Sequence, residues 1–543
     1  MVRAADAVRP RLARAAGIVR PRLARTAAAA KPQIARLTRA ATPRLARNTR
    51  PKTAGNLRTW QYTAGAATAG LALAAGVVTA AGPWDSTGQR TAERDRAAAL
   101  GRTGGADHGN TPEGPATSET AAGTPRPAPS AATVLTGLGA TTSAVQAVPG
   151  TLPGLAALAG ALDPLVADPA LGPRTTASVV DVATGRRLYD AGADQPLTPA
   201  STTKIATAVA ALTAMGPDHR LTTRAALEPG NPDNKELVLV GGGDPTLTAR
   251  ADADGHAGLR TLAAQTATAL KKRGIKKLRL SYDTTLYAGS EVHPIGVNPN
   301  LARVTALMAD EGRTDDSTSG PATRVADPAA DATRKFADLL RAHGIHTSHP
   351  GPSKATTRAQ TLATVSSPPL SVLVERMLTH SDNDIAEALA RQTAVATGVR
   401  ADFAGAGRAI HAQIKKLGLP MSGVTFKDGS GLDRADRLTA NLLAGLLAKT
   451  ADPARPDLRP VLTGLPVAGF TGTLTSRSTD GTAGLVRAKT GTLTGVNTLA
   501  GTVVDRDGRL LSFALLASDT ADTRQAQAAL DRVAAAVAAC GCR

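Results

Sequence analysis

Residues Gln61 to Gly82 form a run of about 22 residues without a single charge, rich in Ala, Gly, Leu and Val and flanked by Trp60 and Trp84. Roughly 20 apolar residues are what a bilayer core requires, and tryptophans favour its two interfaces. The 60–84 segment is therefore expected to be a transmembrane helix. A cleavable export signal is the rival, because Ala80-Ala81-Gly82 offers small residues. Such signals, however, carry a short charged region and an apolar core of about 7 to 15 residues. Length favours an uncleaved, single-pass anchor.

Charge divides at the same place. Residues 1–59 hold 15 Arg and Lys against one acid, Asp6, whereas the rest of the chain has 48 bases and 43 acids. By the positive-inside rule the 1–59 tail is expected to be cytoplasmic and everything after Trp84 exported to the extracytoplasmic side of the cell membrane. The net charge of +19 thus belongs mostly to a tail. Only 11 residues are aromatic, which disfavours base-stacking platforms, so no nucleic acid is expected as a partner. Within the tail, Pro10, Pro21, Pro32 and Pro43 recur every 11 residues, as in Pro10-Arg-Leu-Ala-Arg. Eleven residues make three helical turns. Short basic amphipathic helices on anionic lipid fit this repeat, and a disordered topology-setting tail fits it equally.

Gly, Ala, Thr, Pro and Ser dominate 85–150, which cannot bury enough apolar surface to fold and is expected to be a disordered linker. Periodic apolar pattern resumes near Leu152. The 151–543 segment is the working part. Ala177 to Tyr189 predicts a hairpin turning at Thr184-Gly185, and Ser201 to Met215 a helix stopped by Gly216-Pro217. Gly484–Lys489, Asn497–Val504 and Arg509–Ala517 predict strands, and Asp522–Ala539 a closing helix. Strands from both ends with helices between them predict an α+β fold, an antiparallel sheet covered by helices.

Three short motifs carry chemistry. Ser201 and Lys204 stand three apart at a helix start and so share a face. A serine hydroxyl needs a neighbouring base to attack, and Lys204 supplies one if its proton is loosened. Alone, the pair reads equally as an N-cap and a solvated lysine. Ser381-Asp382-Asn383 joins two predicted helices, where the serine can relay a proton and the asparagine hold an amide; a plain helix cap is the alternative. Lys489-Thr490-Gly491-Thr492 ends an apolar strand. On a sheet edge it would dock an extended peptide ending in a carboxylate, with Gly491 admitting the substrate backbone.

Their conjunction, Ser-x-x-Lys, Ser-x-Asn and Lys-Thr-Gly in this order, is the signature of serine β-lactamases and penicillin-binding proteins. With the 180-residue gap from Ser201 to Ser381, it resembles the low-molecular-mass D-alanyl-D-alanine carboxypeptidase/endopeptidase family, peptidase family S13. Supporting runs are Leu237-Val-Leu-Val-Gly-Gly-Gly-Asp-Pro-Thr-Leu-Thr248, Ser381-Asp-Asn-Asp-Ile-Ala-Glu-Ala-Leu-Ala-Arg391, Asp428-Gly-Ser-Gly-Leu432, Phe470-Thr-Gly-Thr-Leu474 and Ala488-Lys-Thr-Gly-Thr-Leu493. Asp433 departs from the serine common there.

The resemblance implies a penicillin-binding transpeptidase/β-lactamase-like domain with an inserted domain at about 225–365. It implies that Ser201 acylates, that Lys204 is its base and that Ser381 protonates the leaving amine. Asn383 would orient the acylated peptide, and Lys489, Thr490 and Thr492 would hold the terminal carboxylate. Backbone N–H groups of Ser201 and Thr492 would form the oxyanion hole. Peptidoglycan stem peptides are the implied substrates, β-lactams the covalent inhibitors, and no cofactor or metal is needed. A β-lactamase and a catalytically retired wall-binding scaffold are the rivals.

Three minor features have structural explanations. Gly241-Gly-Gly243 lacks the lysine of a phosphate loop and reads as a turn. His343, His346 and His349 recur every third residue but lack nearby carboxylates and read as surface-loop histidines. Cys540 and Cys542 read as a frayed terminus.

Overall fold

The computed structural model describes residues 155–230, 235–477 and 482–541. The basic tail of 1–59, the 60–84 span and the 85–150 linker lie outside the described residues. Among those described, no helix is long and apolar enough to cross a membrane.

The chain runs through α1 (Leu155–Val166), β1 (Arg174–Asp181), β2 (Arg187–Ala191) and α2 (Thr203–Met215). It continues with β3 (Thr222–Leu227), β4 (Glu236–Val240), α3 (Leu259–Lys272), β5 (Lys277–Asp283), α4 (Pro328–Ala342), β6 (His346–Pro352) and β7 (Gln360–Ser366). Helices α5 (Leu370–His380), α6 (Asn383–Ala396), α7 (Phe403–Lys415), α8 (Ala440–Thr450) and α9 (Arg459–Thr463) follow. The end is β8 (Val486–Leu493), β9 (Val496–Val504), β10 (Leu510–Ser518) and α10 (Thr523–Ala539).

The first and last strands meet in one antiparallel sheet of order β2-β1-β10-β9-β8, with Val179 opposite Phe513. Alternation sends successive side chains to opposite faces. Val179, Phe513 and Leu515 pack under α1 and α10 with Leu158, Leu162, Leu530 and Val533. Val180, Ala514 and Leu516 face α2 and α8 with Ile205, Val209, Leu443 and Leu447. Each fully buried Leu or Val contributes about 1.5–3 kcal/mol, so closely packed aliphatic side chains suffice where aromatics are scarce. The hairpin turns where the Asp181 carboxylate accepts the Thr184 N–H at 2.8 Å and Gly185 takes a positive φ.

A second sheet, of order β6-β5-β4-β3-β7, occupies the chain between the first two motifs. It is mixed rather than antiparallel: β4 with β5 and β5 with β6 pair parallel. The reason is connectivity, since α3 and α4 carry the chain back across the sheet between those strands. Both sheets belong to one compact unit.

Gly241 and Gly242 after β4 do not form the expected turn, and the chain bends only at Gly243. Glycine is required because the backbone passes closely, a Cβ on Gly242 falling 2.1 Å from the Thr222 carbonyl oxygen. The histidines are placed otherwise than the sequence suggested: His343 ends α4, and His346 and His349 lie in β6 rather than in a loop. Cys540 is not frayed. It is half-buried against the α10 core, and its carbonyl accepts the Arg506 N–H.

Candidate active site

Ser201 sits in a 3-10 turn, Ala200–Thr202, that feeds α2, and Ala200 before it holds a left-handed φ of 48°. The capping alternative fails, because Thr202 rather than Ser201 precedes α2 and no side chain caps that end. The Ser201 hydroxyl instead lies 3.0 Å from Lys204 Nζ. Lys204 is fully buried, and its ammonium donates also to Asn383 Oδ1 at 2.7 Å and to the Ser430 carbonyl at 2.7 Å. One nitrogen thus ties together three segments distant in sequence.

Ser381 links α5 to α6 in a left-handed conformation (φ 57°, ψ 39°), which is costly for a residue with a Cβ. Asp382 caps α6 by accepting the Ile385 N–H at 3.0 Å, and this fixes the turn. Ser381 Oγ accepts from Lys489 Nζ at 2.9 Å. Asn383 is engaged at both ends, since its Nδ2 donates to the Asn300 carbonyl at 2.9 Å.

Lys489 to Thr492 lie on β8, which is the sheet's edge, as the docking argument required. The Ala488 N–H points away from β9 to the Pro466 carbonyl at 2.9 Å. By alternation the backbone N–H groups of Thr490 and Thr492 face the same open side. Thr490 Oγ1 meets Thr473 Oγ1 at 2.9 Å, and Thr492 Oγ1 accepts from Gln527 Nε2 at 3.3 Å.

Gly491 requires a correction. Its missing Cβ would lie 2.1 Å from Thr498 Oγ1 and 2.8 Å from the Pro199 carbonyl. Glycine is needed there for a close approach of the protein's own strap through Pro199 and Ala200 to Ser201, rather than for the substrate approach the sequence suggested.

Burial lowers the Lys204 pKa to about 8, opposed by the charges of Asp428, Glu387, Asp382 and Asp384. Burial, aided by the Lys204 charge, also holds Lys489 well below the ordinary lysine range. Lys489 has no carboxylate within ion-pair distance among the described residues; its Nζ donates to Ser381 Oγ at 2.9 Å and to the Thr490 carbonyl at 2.8 Å. A cavity of about 270 Å³ opens here, lined by Ser201, Ser381, Asn383, Thr492, Asn300 and Arg324.

Sequence reasoning assigned no role to Ser430, Asn300 or Arg324. Nothing local marks a backbone carbonyl as a lysine's acceptor. Two buried acidic clusters flank the site. In one, Arg324 pairs with Asp384 at 2.9 Å and Arg313 with Glu311 at 2.8 Å. In the other, Glu387 accepts the Gly429 and Ser430 N–H groups, and Asp428 holds His293. Asp433 donates its N–H to Asp428 at 2.7 Å, so the departure from serine leaves that backbone contact in place.

The family model described as D-Ala-D-Ala carboxypeptidase 3 (S13) matches residues 158–320 and 314–537. The chain belongs to the S13 family. Within it, the chain is 38% identical over 405 residues to Carboxypeptidase DacB of Mycolicibacterium smegmatis, covering 71% of this chain and 84% of that one. It is 27% identical over 456 residues to a D-alanyl-D-alanine carboxypeptidase of an Actinomadura species, covering 66% and 82%. Among solved structures, penicillin binding protein 4 of Haemophilus influenzae superposes with a TM-score of 0.57 at 21% identity, over 70% of this chain and 98% of that one. That likeness shows the penicillin-binding fold. In this S13 chain the three motifs that are distant in sequence converge on two buried lysines.

Proposed function

We propose that the chain is a serine-type D-Ala-D-Ala carboxypeptidase that removes the terminal D-alanine of peptidoglycan stem peptides, with D,D-endopeptidase cleavage of D-alanyl cross-links as a second reaction of the same site. The observation that carries this is the 3.0 Å contact between Ser201 Oγ and a buried, pKa-lowered Lys204. Lys204 in its neutral form takes the Ser201 proton as Oγ bonds to the penultimate D-alanine carbonyl. Thr492 N–H faces the open side of β8 and, with the Ser201 N–H, receives the developing oxyanion. Ser381 delivers a proton to the leaving amine as the C–N bond breaks and takes a replacement, directly or through a water, from the Lys204 ammonium, which returns to its neutral form. Lys489 holds the terminal carboxylate with the Thr490 and Thr492 hydroxyls, and Asn383 orients the peptide. Water then attacks the ester carbonyl as neutral Lys204 takes its proton, and that proton passes to Ser201 Oγ as the acyl–oxygen bond breaks, regenerating the hydroxyl.

The reaction uses side chains and backbone alone. A β-lactam would acylate Ser201 by the same attack and persist because the leaving group stays tethered. Labelling the full chain with a fluorescent penicillin, beside Ser201→Ala, and assaying D-alanine release from a D-alanyl-D-alanine peptide test this. Label at Ser201 with D-alanine release supports it. Rapid penicillin turnover without D-alanine release supports a β-lactamase instead, and no label at all a retired scaffold.

The second sheet between the motifs supports treating about 225–365 as an inserted domain. For the cell, the uncharged 60–84 run and the charge asymmetry support a single-pass membrane anchor with residues 1–59 cytoplasmic, against anionic lipid, and residues 151–543 outside. Protease digestion of intact cells tests the topology: the catalytic part would be cleaved and the tail protected.

A further inference from the structure

Three side chains outside the motifs converge on the loop that holds Lys204. Asp428 is fully buried and accepts four bonds: from the Gly431 N–H at 2.7 Å, the Asp433 N–H at 2.7 Å, Ser430 Oγ at 3.2 Å and His293 Nε2 at 3.0 Å. Glu387 on α6 accepts the Gly429 and Ser430 N–H groups at 3.1 and 2.9 Å. These bonds fix the 428–433 turn, and its Ser430 carbonyl accepts Lys204 Nζ at 2.7 Å.

His293 comes from the segment between β5 and α4, in the chain between the first two motifs. Its ring is 3% exposed and stands edge-on to Phe403, centroids 5.1 Å apart. The Ile295 N–H donates to Nδ1 at 3.2 Å, which leaves the ring proton on Nε2, aimed at Asp428. The ring is thus a fixed donor to a buried carboxylate. Without it, Asp428 loses one of the bonds that keep it ionised.

We propose that His293 is a positioning residue for Lys204, acting through Asp428 and the carbonyl of Ser430. Two effects follow from the geometry. Mechanically, the His293–Asp428 bond braces the turn whose carbonyl aims Lys204 at Ser201. Electrostatically, ionised Asp428 is the leading charge that holds up the Lys204 proton, ahead of Glu387, Asp382 and Asp384. Glu387 and Asp428 cluster with the ring, Asp433 acts on it through charge, and Arg391 stacks on the far partner Phe403 at 4.2 Å. On its other side Asp428 meets the buried Asp436 carboxyl, which also accepts the Lys427 N–H and Thr203 Oγ1 and whose pKa burial and Asp428 push well up. This inference rests on the acyl-transfer function proposed above, with Lys204 as base.

The test is pre-steady-state acylation of the full chain by a chromogenic β-lactam across pH, for the wild type, His293→Phe and His293→Gln. Glutamine keeps a donor near the Nε2 position without titrating, whereas phenylalanine keeps the ring shape and removes the donor. The expected result for His293→Phe is a maximal acylation rate lowered about tenfold, with the non-covalent binding constant unchanged. Its acid limb stays where wild-type Lys204 places it, because Asp428 is held below the ordinary carboxylate range and keeps three other bonds, so it remains ionised there. His293→Gln is expected within about twofold of wild type on each measure.

A His293→Phe variant that acylates at the wild-type rate across the pH range overturns the proposal. So does a His293→Gln variant as slow as His293→Phe, since packing against Phe403 would then be the ring's whole role. If His293→Phe does not fold, His293→Asn replaces it, because its shorter amide does not reach Asp428. Absence of acylation in the wild type would refute the acyl-transfer function itself, a different outcome from either of these.

Discussion

Lys204 Nζ stands 2.7 Å from Asn383 Oδ1, although 179 residues separate the two in the chain. This contact joins the Ser-x-x-Lys helix to the turn between α5 and α6, and it leaves Lys204 one acceptor away from Ser201. Replacing Ser201 with Ala is expected to abolish penicillin labelling. Replacing Lys204 with Ala is expected to slow acylation by about 10²–10⁴-fold, the usual worth of a positioned base. Stopped-flow acylation rates check both, and full-rate acylation in Lys204→Ala would exclude Lys204 as the base.

Acylation by the wild type is expected to rise with pH up to about 8, where burial places Lys204. The sign follows from the chemistry: only the neutral amine accepts a proton, and burial favours that neutral form. Below that pH the rate should fall by about tenfold per unit, since each unit reduces the neutral fraction by about that factor. An acylation rate flat between pH 5 and pH 9 would be inconsistent with this.

Lys489 is fully buried and without a carboxylate partner among the described residues. A hydrogen bond to a charged group is worth about 1.5–3 kcal/mol, so Lys489→Met should weaken recognition of the substrate carboxylate by about 10- to 100-fold. Because burial disfavours the lysine charge while Met gives up the bonds to Ser381 Oγ and the Thr490 carbonyl, the two effects oppose each other and the same variant should melt close to wild type. KM for a D-alanyl-D-alanine peptide and thermal unfolding read out the two halves.

Arg324 holds Asp384 at 2.9 Å with both side chains almost wholly buried. Removing one partner of such a pair strands the other, at about 3–5 kcal/mol. Arg324→Met is expected to lose that much stability in denaturant unfolding. Because Asp384 adjoins Asn383 and Arg324 lines the cavity, the variant should also be acylated more slowly.

Gly491→Ala would place a methyl group 2.1 Å from Thr498 Oγ1 and against the Pro199 carbonyl. The nucleophile strap would have to move. Penicillin labelling should fall sharply, while Gly185→Ala in the distant hairpin turn should leave labelling unchanged.

The strands and helices around the site were legible because local spacing carries them. Ser201–Met215, predicted as a helix, is the 3-10 turn and α2, and the predicted closing helix from Asp522 is α10 with Asp522 as its cap. The β8 to β10 segments fell within a few residues of their predicted bounds. The parallel pairing of the second sheet was not legible, since pairing direction depends on where α3 and α4 return the chain. His293 carried no signal either, because a lone histidine before a proline has no local partner to mark it.

The sequence by itself determined the family and the chemistry on offer: a serine with a lysine three residues on, a Ser-x-Asn turn and a Lys-Thr-Gly strand, in that order. Short-range geometry is enough for this, because helix and strand periods fix which neighbours share a face. Only the tertiary structure decided which groups surround Lys204. Ser430, Asn383, Asp428 and Glu387 reach it from 179 to 226 residues away. Burial among them sets the lysine's proton affinity, and burial is a property of the packed fold rather than of any short stretch of chain.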